Sequence, residues 1–307
     1  MKILLFADQH LRSQSDRPKW RLDDHYETQF QELQEVALLA KEHKVDMIIG
    51  LGDLIHHPDV SHTLVTDIMN WCKTLPCPFY TIVGNHCCYA YRTHDLKSSA
   101  LGVLFESGAI NRLDELVFEK EKVIIRGIHA NLDPKVGNYL FDSKYDDYLK
   151  LIASHNFIIP MQVPFDSVLP RQVNTNATLI ALGHYHKAFD HVEGFTRFIN
   201  PGSTSRWAIN EQHTPQVLLL DTVTKNITYI SLKSSRPARE IFDLQAAMEI
   251  ESREMELNKF VESLEGTSFE AIDIYEVVKQ AGLKQAVSSD IIKEALEKIM
   301  AAKENLK

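Results

Sequence analysis

The chain has 307 residues, 44% of them apolar and 24% charged, which supports a large buried core and excludes a disordered or low-complexity protein. Its formal net charge of −9 excludes a grip on nucleic acid by bulk electrostatics, so contact with DNA has to come from local basic patches or from a partner. No stretch approaches the roughly 20 apolar residues that span a bilayer. The four cysteines, Cys72, Cys77, Cys87 and Cys88, lack the paired spacing of a zinc ribbon or a disulfide framework, and the apolar run Met1–Ala7 is too short for a signal peptide core. These features point to reduced thiols and a cytoplasmic protein, or one in a host cytoplasm if the source is viral.

In chain order, Lys2–Ala7 predicts a first strand that ends in Asp8-Gln-His10. Phe30, Leu33, Val36, Ala37 and Ala40 recur at helical spacing and predict a helix over 27–43; Val45–Leu51 then predicts a second, parallel strand. Its apolar run Met47-Ile-Ile-Gly-Leu-Gly stops at Asp53, as a central strand does when it delivers a ligand to the mouth of an α/β sheet. Leu64, Ile68, Met69 and Trp71 predict a helix over 62–73, and Phe79–Val83 a third strand ending in Gly84-Asn-His86.

Further along, 96–107 reads as a helix and 116–128 as two short strands around Glu119–Lys122. Residues 142–151 read as a polar helix leading into Ile152-Ala-Ser-His155. Ala177–Leu182 predicts a strand capped by Gly183-His-Tyr-His186, and Phe195–Ile199 one that runs into Asn200-Pro-Gly-Ser-Thr-Ser-Arg206; 217–221 and 227–232 predict a closing hairpin. After about Arg236 the pattern becomes helical over 246–264, 269–281 and 290–303, with Thr267-Ser-Phe-Glu270 as a capping box and Ile291, Ile292, Ala295, Leu296 and Ile299 as one apolar stripe.

Open α/β sheets gather their sites at the carboxyl ends of their strands. The residues there are Asp8, His10, Asp53, Asn85, His86, His155, His184 and His186. Carboxylate, imidazole and amide donors without thiolate suit borderline divalent ions rather than structural zinc. His129 also follows a strand-like run and competes with His155, while His56 and His57 read as loop residues beside the site, and His43, His62, His191 and His213 as surface.

The ordered set Asp-x-His, Gly-Asp, Gly-Asn-His, His and Gly-His-x-His resembles the calcineurin-like metallophosphoesterases. Gly52-Asp-Leu-Ile-His-His-Pro58, Gly183-His-Tyr-His186 and Asn200–Arg206 look like the branch of SbcD-type nuclease subunits, relatives of the meiotic-recombination nuclease. The resemblance covers roughly residues 1–240. It implies an α/β fold: a metallophosphoesterase β-sandwich flanked by helices, over 1–235, with a small C-terminal helical extension over 236–307. It also implies two divalent ions, Mn²⁺ with Mg²⁺ as the alternative, bridged by Asp53 about 3.5–4 Å apart. Asp8, His10 and His186 would complete the first shell and Asn85, His155 and His184 the second. A hydroxide shared by the ions would attack the phosphodiester, and His86 would protonate the leaving oxygen or neutralise the phosphate.

The family places an acidic residue directly after Gly-Asn-His, where this chain has Cys87; if that carboxylate orients the histidine, catalysis here is slowed or specialised. The branch acts on DNA as exonuclease and endonuclease in repair and recombination, works with an SbcC-type coiled-coil ATPase through a C-terminal helical segment, and forms homodimers. Arg12, Arg17, Lys19 and Arg92 flank the metal motifs as candidate DNA-backbone contacts. Two other readings keep the fold: a phosphatase or phosphodiesterase of a nucleotide or phosphoprotein, and a catalytically weak scaffold.

Overall fold

The computed structural model describes residues 1–89, 93–130, 139–164, 166–250, 252, 253, 255, 278 and 289–304. The chain divides into two compact units, Met1–Phe242 and Asp243–Lys307.

The first unit is built on two six-stranded sheets. Strands β1 (Lys2–Phe6), β2 (Met47–Gly50), β3 (Phe79–Thr81) and β4 (Asn111–Arg112) run parallel, extended at the β1 edge by antiparallel β11 (Gln216–Asp221) and β12 (Ile227–Ser231). In the second sheet β6 (Val123–Ile128), β7 (Leu149–Ser154), β8 (Leu179–Leu182) and β10 (Thr196–Asn200) are parallel, edged by antiparallel β5 (Glu115–Phe118) and β9 (Phe189–Glu193).

Period-two alternation decides how the layers stack. Along β1, Leu4 and Phe6 join the core under the helices, whereas Ile3, Leu5 and Ala7 join the core between the sheets. The second sheet supplies Val123, Ile125, Leu151, Ala153, Leu179 and Ala181 to that middle layer, and turns Ile124, Ile152 and Ile180 to a third core beneath Tyr139, Phe141, Ile158 and Val173. Strands apolar on both faces are the signature of buried parallel sheets. Each fully buried Leu or Ile contributes about 1.5–3 kcal/mol relative to exposure.

Helices α1 (His25–Glu42), α2 (His62–Cys72) and α3 (Ala100–Glu106) cover the outer face of the first sheet. Asp24 caps α1 by accepting from the Tyr26 and Glu27 amides, and Ser61 caps α2 through the Leu64 amide. The Trp71 indole donates to the Leu33 carbonyl at 2.8 Å and ties the two helices together. A short α4 (Ala238–Ile241) closes the unit.

Two expectations need correction. Residues 142–151 are not a helix: one 3-10 turn (Ser143–Tyr145) precedes β7, which already begins at Leu149. The polar appearance came from Lys150, whose ammonium is buried against Asp146 at 2.7 Å while its backbone pairs within a strand flanked on both sides. The expected helix over 96–107 is split into a 3-10 segment (Thr93–Ser98) and α3, because Ser99 caps the latter through the Gly102 amide. β9 was also not anticipated, because its two apolar residues, Phe189 and Val192, are separated by polar Asp190 and His191 on a mostly exposed ribbon.

In the second unit, α5 (Ser289–Glu304) carries Ile291, Ala295 and Leu296 as buried members of the expected stripe. The capping box at 267–270 and most of the helices expected over 246–264 and 269–281 lie outside the described residues. Among the described residues no helix is long and apolar enough to cross a membrane.

Candidate metal centre

The carboxyl ends of β1, β2, β3, β7 and β8 meet at one edge of the sandwich, and the backbone there is bent to aim side chains. Eight non-glycine residues adopt positive φ among the described residues, and four of them are Asp8 (51°), His10 (47°), Asp53 (46°) and His184 (71°). Each such residue costs on the order of 1–3 kcal/mol and persists only where its surroundings enforce it. Here the loops after β1 and β2 run side by side, the His10 amide donating to the Asp53 carbonyl at 2.9 Å and the Leu11 amide to Leu54 at 2.9 Å. Gly84 is required by close approach: a Cβ there would sit 2.0 Å from Asp53 Oδ1 and 2.3 Å from its backbone nitrogen. At Gly52, with φ +96°, a Cβ would meet His155 Nδ1 at 2.2 Å.

Among the described residues the donors form three groups with ligand atoms within 4.8 Å of one another and one half-buried member each: His10 with His56 and His86, Asp8 with His10 and His186, and Asp53 with His155 and His184; the last two, which include a carboxylate, are the candidate ion sites. Asp53 reaches both: its Oδ2 is 3.0 Å from His155 Nε2 and 3.9 Å from His10 Nε2, while Oδ1 accepts the His86 amide at 2.9 Å. Asn85 Oδ1 stands 2.8 Å from His184 Nδ1 and 3.1 Å from His155 Nε2. Asp8 Oδ1 accepts the His184 amide at 3.1 Å, but its buried Oδ2 has no hydrogen-bond partner among the described residues. An orphaned carboxylate oxygen beside converging imidazole nitrogens, 3.1 Å apart for His10 and His186, is a donor set that a pair of divalent cations fits.

Electrostatics follow the same geometry. Burial pushes the Asp8 carboxyl up to about 6 against the opposing charges of His155 and His186. Burial disfavours the Asp53 charge too, but His155, His10 and His86 outweigh it and hold this carboxyl far below its usual range. Burial would depress His155, yet Asp53 lifts it to about 9; His184, buried and facing His155, is lowered to about 3. Cation binding requires His155 neutral and Asp8 ionised. His155 therefore carries a proton at pH 7.5 that a metal must displace, so affinity rises with pH by up to about tenfold per unit between 7 and 9 and levels off above, with a steeper fall below 6 as Asp8 protonates. Calorimetry in buffers of different ionisation enthalpy should count at least one proton released per chain at pH 7.5; zero would contradict this assignment.

His86 lies at the rim. Its Nδ1 donates to the His56 carbonyl at 3.1 Å, so a proton given to a substrate would come from Nε2. Cys87 points elsewhere: its buried Sγ is 3.9 Å from Asp53 Oδ1 and 3.7 Å from the Ile55 carbonyl, and burial followed by the Asp53 charge keeps the thiol protonated. The histidine is thus oriented by backbone, and a carboxylate in the place of this thiol would be buried against Asp53. His129 belongs to the scaffold, its Nδ1 accepting the Val83 amide at 3.0 Å.

The basic residues are dispersed. Arg12 is buried beside the cluster, donating to His56 Nε2 at 2.6 Å and to Asp16 at 2.8 Å, with Trp207 under its guanidinium. Arg17 donates to the backbone carbonyls of Arg21 and Asp23, and Lys19 is exposed over the Trp20 ring. Arg92 lies outside the described residues.

Sequence reasoning missed two participants, Trp207 and Glu211, and understated a third. His56, expected near the site, directly faces the other ring nitrogen of His10 (Nδ1 to Nδ1, 3.0 Å). Trp207 packs over His10 and His56 with ring centroids 5.6 and 4.9 Å away, and Glu211 contacts His186 Nδ1. The available signal was position, since both follow directly on Asn200–Arg206. His213, expected at the surface, is half-buried against Ser203 Oγ at 3.0 Å.

Two packed sheets with clusters of oxygen and nitrogen donors at the strand ends are the arrangement of the metallophosphoesterase fold. Residues 1–225 match the family model described as Calcineurin-like phosphoesterase superfamily domain, and the chain belongs to that superfamily. Comparison with curated proteins gave no match. Among solved structures, a dimetal phosphatase from Danio rerio is 13% identical with a TM-score of 0.50, over 75% of this chain and 96% of its own. An archaeal phosphodiesterase is 16% identical (TM-score 0.40; 76% of this chain, 100% of its own), and the E. coli phosphoesterase Yfce 14% identical (TM-score 0.37; 76% and 100%). At these identities the likeness concerns the fold.

Proposed function

We propose that this chain is a two-metal DNA phosphodiesterase, the nuclease subunit of an SbcCD-like repair and recombination complex. The observation that carries the hydrolytic part is the pair of ligand triads joined by Asp53, with Asn85 beside His155 and His184 in the second of them. The DNA part rests on the resemblance of Gly52–Pro58, Gly183–His186 and Asn200–Arg206 to the nuclease branch.

Two divalent ions bound there, Mn²⁺ or Mg²⁺, would supply Lewis-acid polarisation of the phosphate and a water acidic enough to attack near neutral pH. Asp8, His10 and His186 would hold one ion, Asn85, His155 and His184 the other, with Asp53 between. The remaining work would fall to the rim: His86, its Nδ1–H held by the His56 carbonyl, would as an imidazolium give its Nε2 proton to the leaving oxygen. Trp207, packed over His10 and His56, would form one wall of the substrate site.

One observation favours a smaller substrate. A cleft of about 960 Å³ beside His184 and His186, lined by Phe157, Tyr185 and Trp207, lies at the upper end of the range of small-ligand pockets. Duplex DNA, single-stranded DNA and a cyclic dinucleotide, each incubated with protein and Mn²⁺, separate the readings. DNA cleavage is expected. Hydrolysis of the cyclic dinucleotide alone would replace the nuclease with a small-molecule phosphodiesterase, and no hydrolysis would leave a scaffold.

For the partner, the second unit is the docking element of the proposal. Removing residues 243–307 should leave Mn²⁺-dependent hydrolysis of a simple phosphodiester intact and abolish co-purification with the SbcC-type ATPase. A truncated chain that still retains the ATPase would refute this.

A further inference from the structure

Glu211 is a buried carboxylate on the loop that follows β10, at the far side of His186 from Asp8. One of its oxygens, Oε2, accepts the backbone amides of Trp207 at 2.7 Å and Ala208 at 3.1 Å; the other, Oε1, contacts His186 Nδ1. The carboxylate is thereby clamped by its own loop and presents a single fixed acceptor to the imidazole. The indole N–H of Trp207 lies 3.2 Å from the same Nδ1, but an unprotonated Nδ1 would set two acceptors in contact, so the carboxylate decides which nitrogen carries the proton.

With Nδ1 protonated, the Nε2 lone pair is free and faces inward, 4.0 Å from Asp8 Oδ1 and 3.1 Å from His10 Nε2. We infer that Glu211 is a positioning residue for the ion held by Asp8, His10 and His186, fixing the tautomer and ring angle of His186 so that Nε2 is always available as a ligand. The inference rests on the two-metal reading above. Carboxylates that accept from a ligating histidine typically change metal affinity by about 10–100-fold when removed.

The discriminating variant is Glu211→Gln, which keeps shape and burial. Two backbone amides demand an acceptor, so the amide oxygen turns to Trp207 and Ala208 and the NH₂ group faces His186 Nδ1. That arrangement favours the opposite tautomer and puts a proton on Nε2.

The test is Mn²⁺ titration of the full-length chain by calorimetry, with electron paramagnetic resonance of the loaded protein. The wild type should bind two ions that are magnetically coupled. Glu211→Gln should bind one ion with unchanged affinity and the other about 10–100-fold more weakly, with an isolated Mn²⁺ spectrum at one equivalent. Glu211→Ala, which removes the proton acceptor without supplying a donor, should show a smaller loss at the same ion. Two ions at wild-type affinity in both variants would overturn the inference, as would a Gln variant that fails to fold, which would make Glu211 a folding residue. A wild-type chain that binds fewer than two ions would overturn the two-metal reading itself and the inference with it.

Discussion

Replacing Asp53 by Asn is expected to abolish hydrolysis of every substrate, a loss of about 10²–10³-fold or more in kcat, the scale seen when one preorganised electrostatic group is removed. The expectation comes from its place between the groups, 3.0 Å from His155 Nε2 and 3.9 Å from His10 Nε2. Asparagine keeps the volume and can still accept the His86 amide at Oδ1, so the strand end retains its shape. It offers no charge to either cation. Mn²⁺ affinity should therefore fall at both sites together, and loss at only one would assign Asp53 to a single ion. Undiminished cleavage by the variant would remove its bridging role.

Replacing His86 by Ala is expected to lower kcat by about 10²–10⁴-fold while leaving two ions bound, the effect of removing a general acid rather than a ligand. The backbone amide that holds Asp53 Oδ1 survives the substitution, as does the His56 carbonyl. The defect should be smallest on substrates with an acidic leaving group such as nitrophenol, which needs little protonation. A variant that instead loses an ion would move His86 into a metal shell, which its ring distance of 4.9 Å from His10 does not forbid.

Much of this architecture was legible because each ligand motif ends an apolar strand. The runs before Asp8, Asp53, Asn85 and His184 are apolar and mostly buried, with Lys2 exposed and Tyr80 half-buried, and their shortness and the Gly or polar residues that end them mark them as strands. β7 was obscured by Lys150, whose charge is paired inside the fold, and by the polar turn before it, so a strand looked like the end of a helix. The convergence of Asp8, His10, Asp53, Asn85, His184 and His186 could be expected from strand polarity, whereas the choice of His155 over His129 needed the order of motifs in the metallophosphoesterase family.

What sequence could not reveal is which residues stand behind the ligands. Glu211 and Trp207 sit on an irregular loop with no periodicity, and their roles appear only when the chain folds the end of β10 back over His186. The positive φ values at Asp8, His10, Asp53 and His184 were equally unanticipated: Asp and His adopt the left-handed region more often than most non-glycine residues, but that preference does not say which Asp or His will do so. The basic residues illustrate the converse: Arg12, Arg17 and Lys19 look alike in sequence, yet one is buried beside His56, one serves backbone carbonyls and one is exposed.

The central claim, two ions sharing Asp53, is tested most directly by crystallising the chain with Mn²⁺ and measuring anomalous scattering above the manganese edge. Two peaks about 3.5–4 Å apart are predicted, one within ligand distance of Asp8, His10 and His186 and the other of Asn85, His155 and His184, both touching Asp53. A single peak at saturating Mn²⁺, or two peaks of which only one touches Asp53, would contradict it.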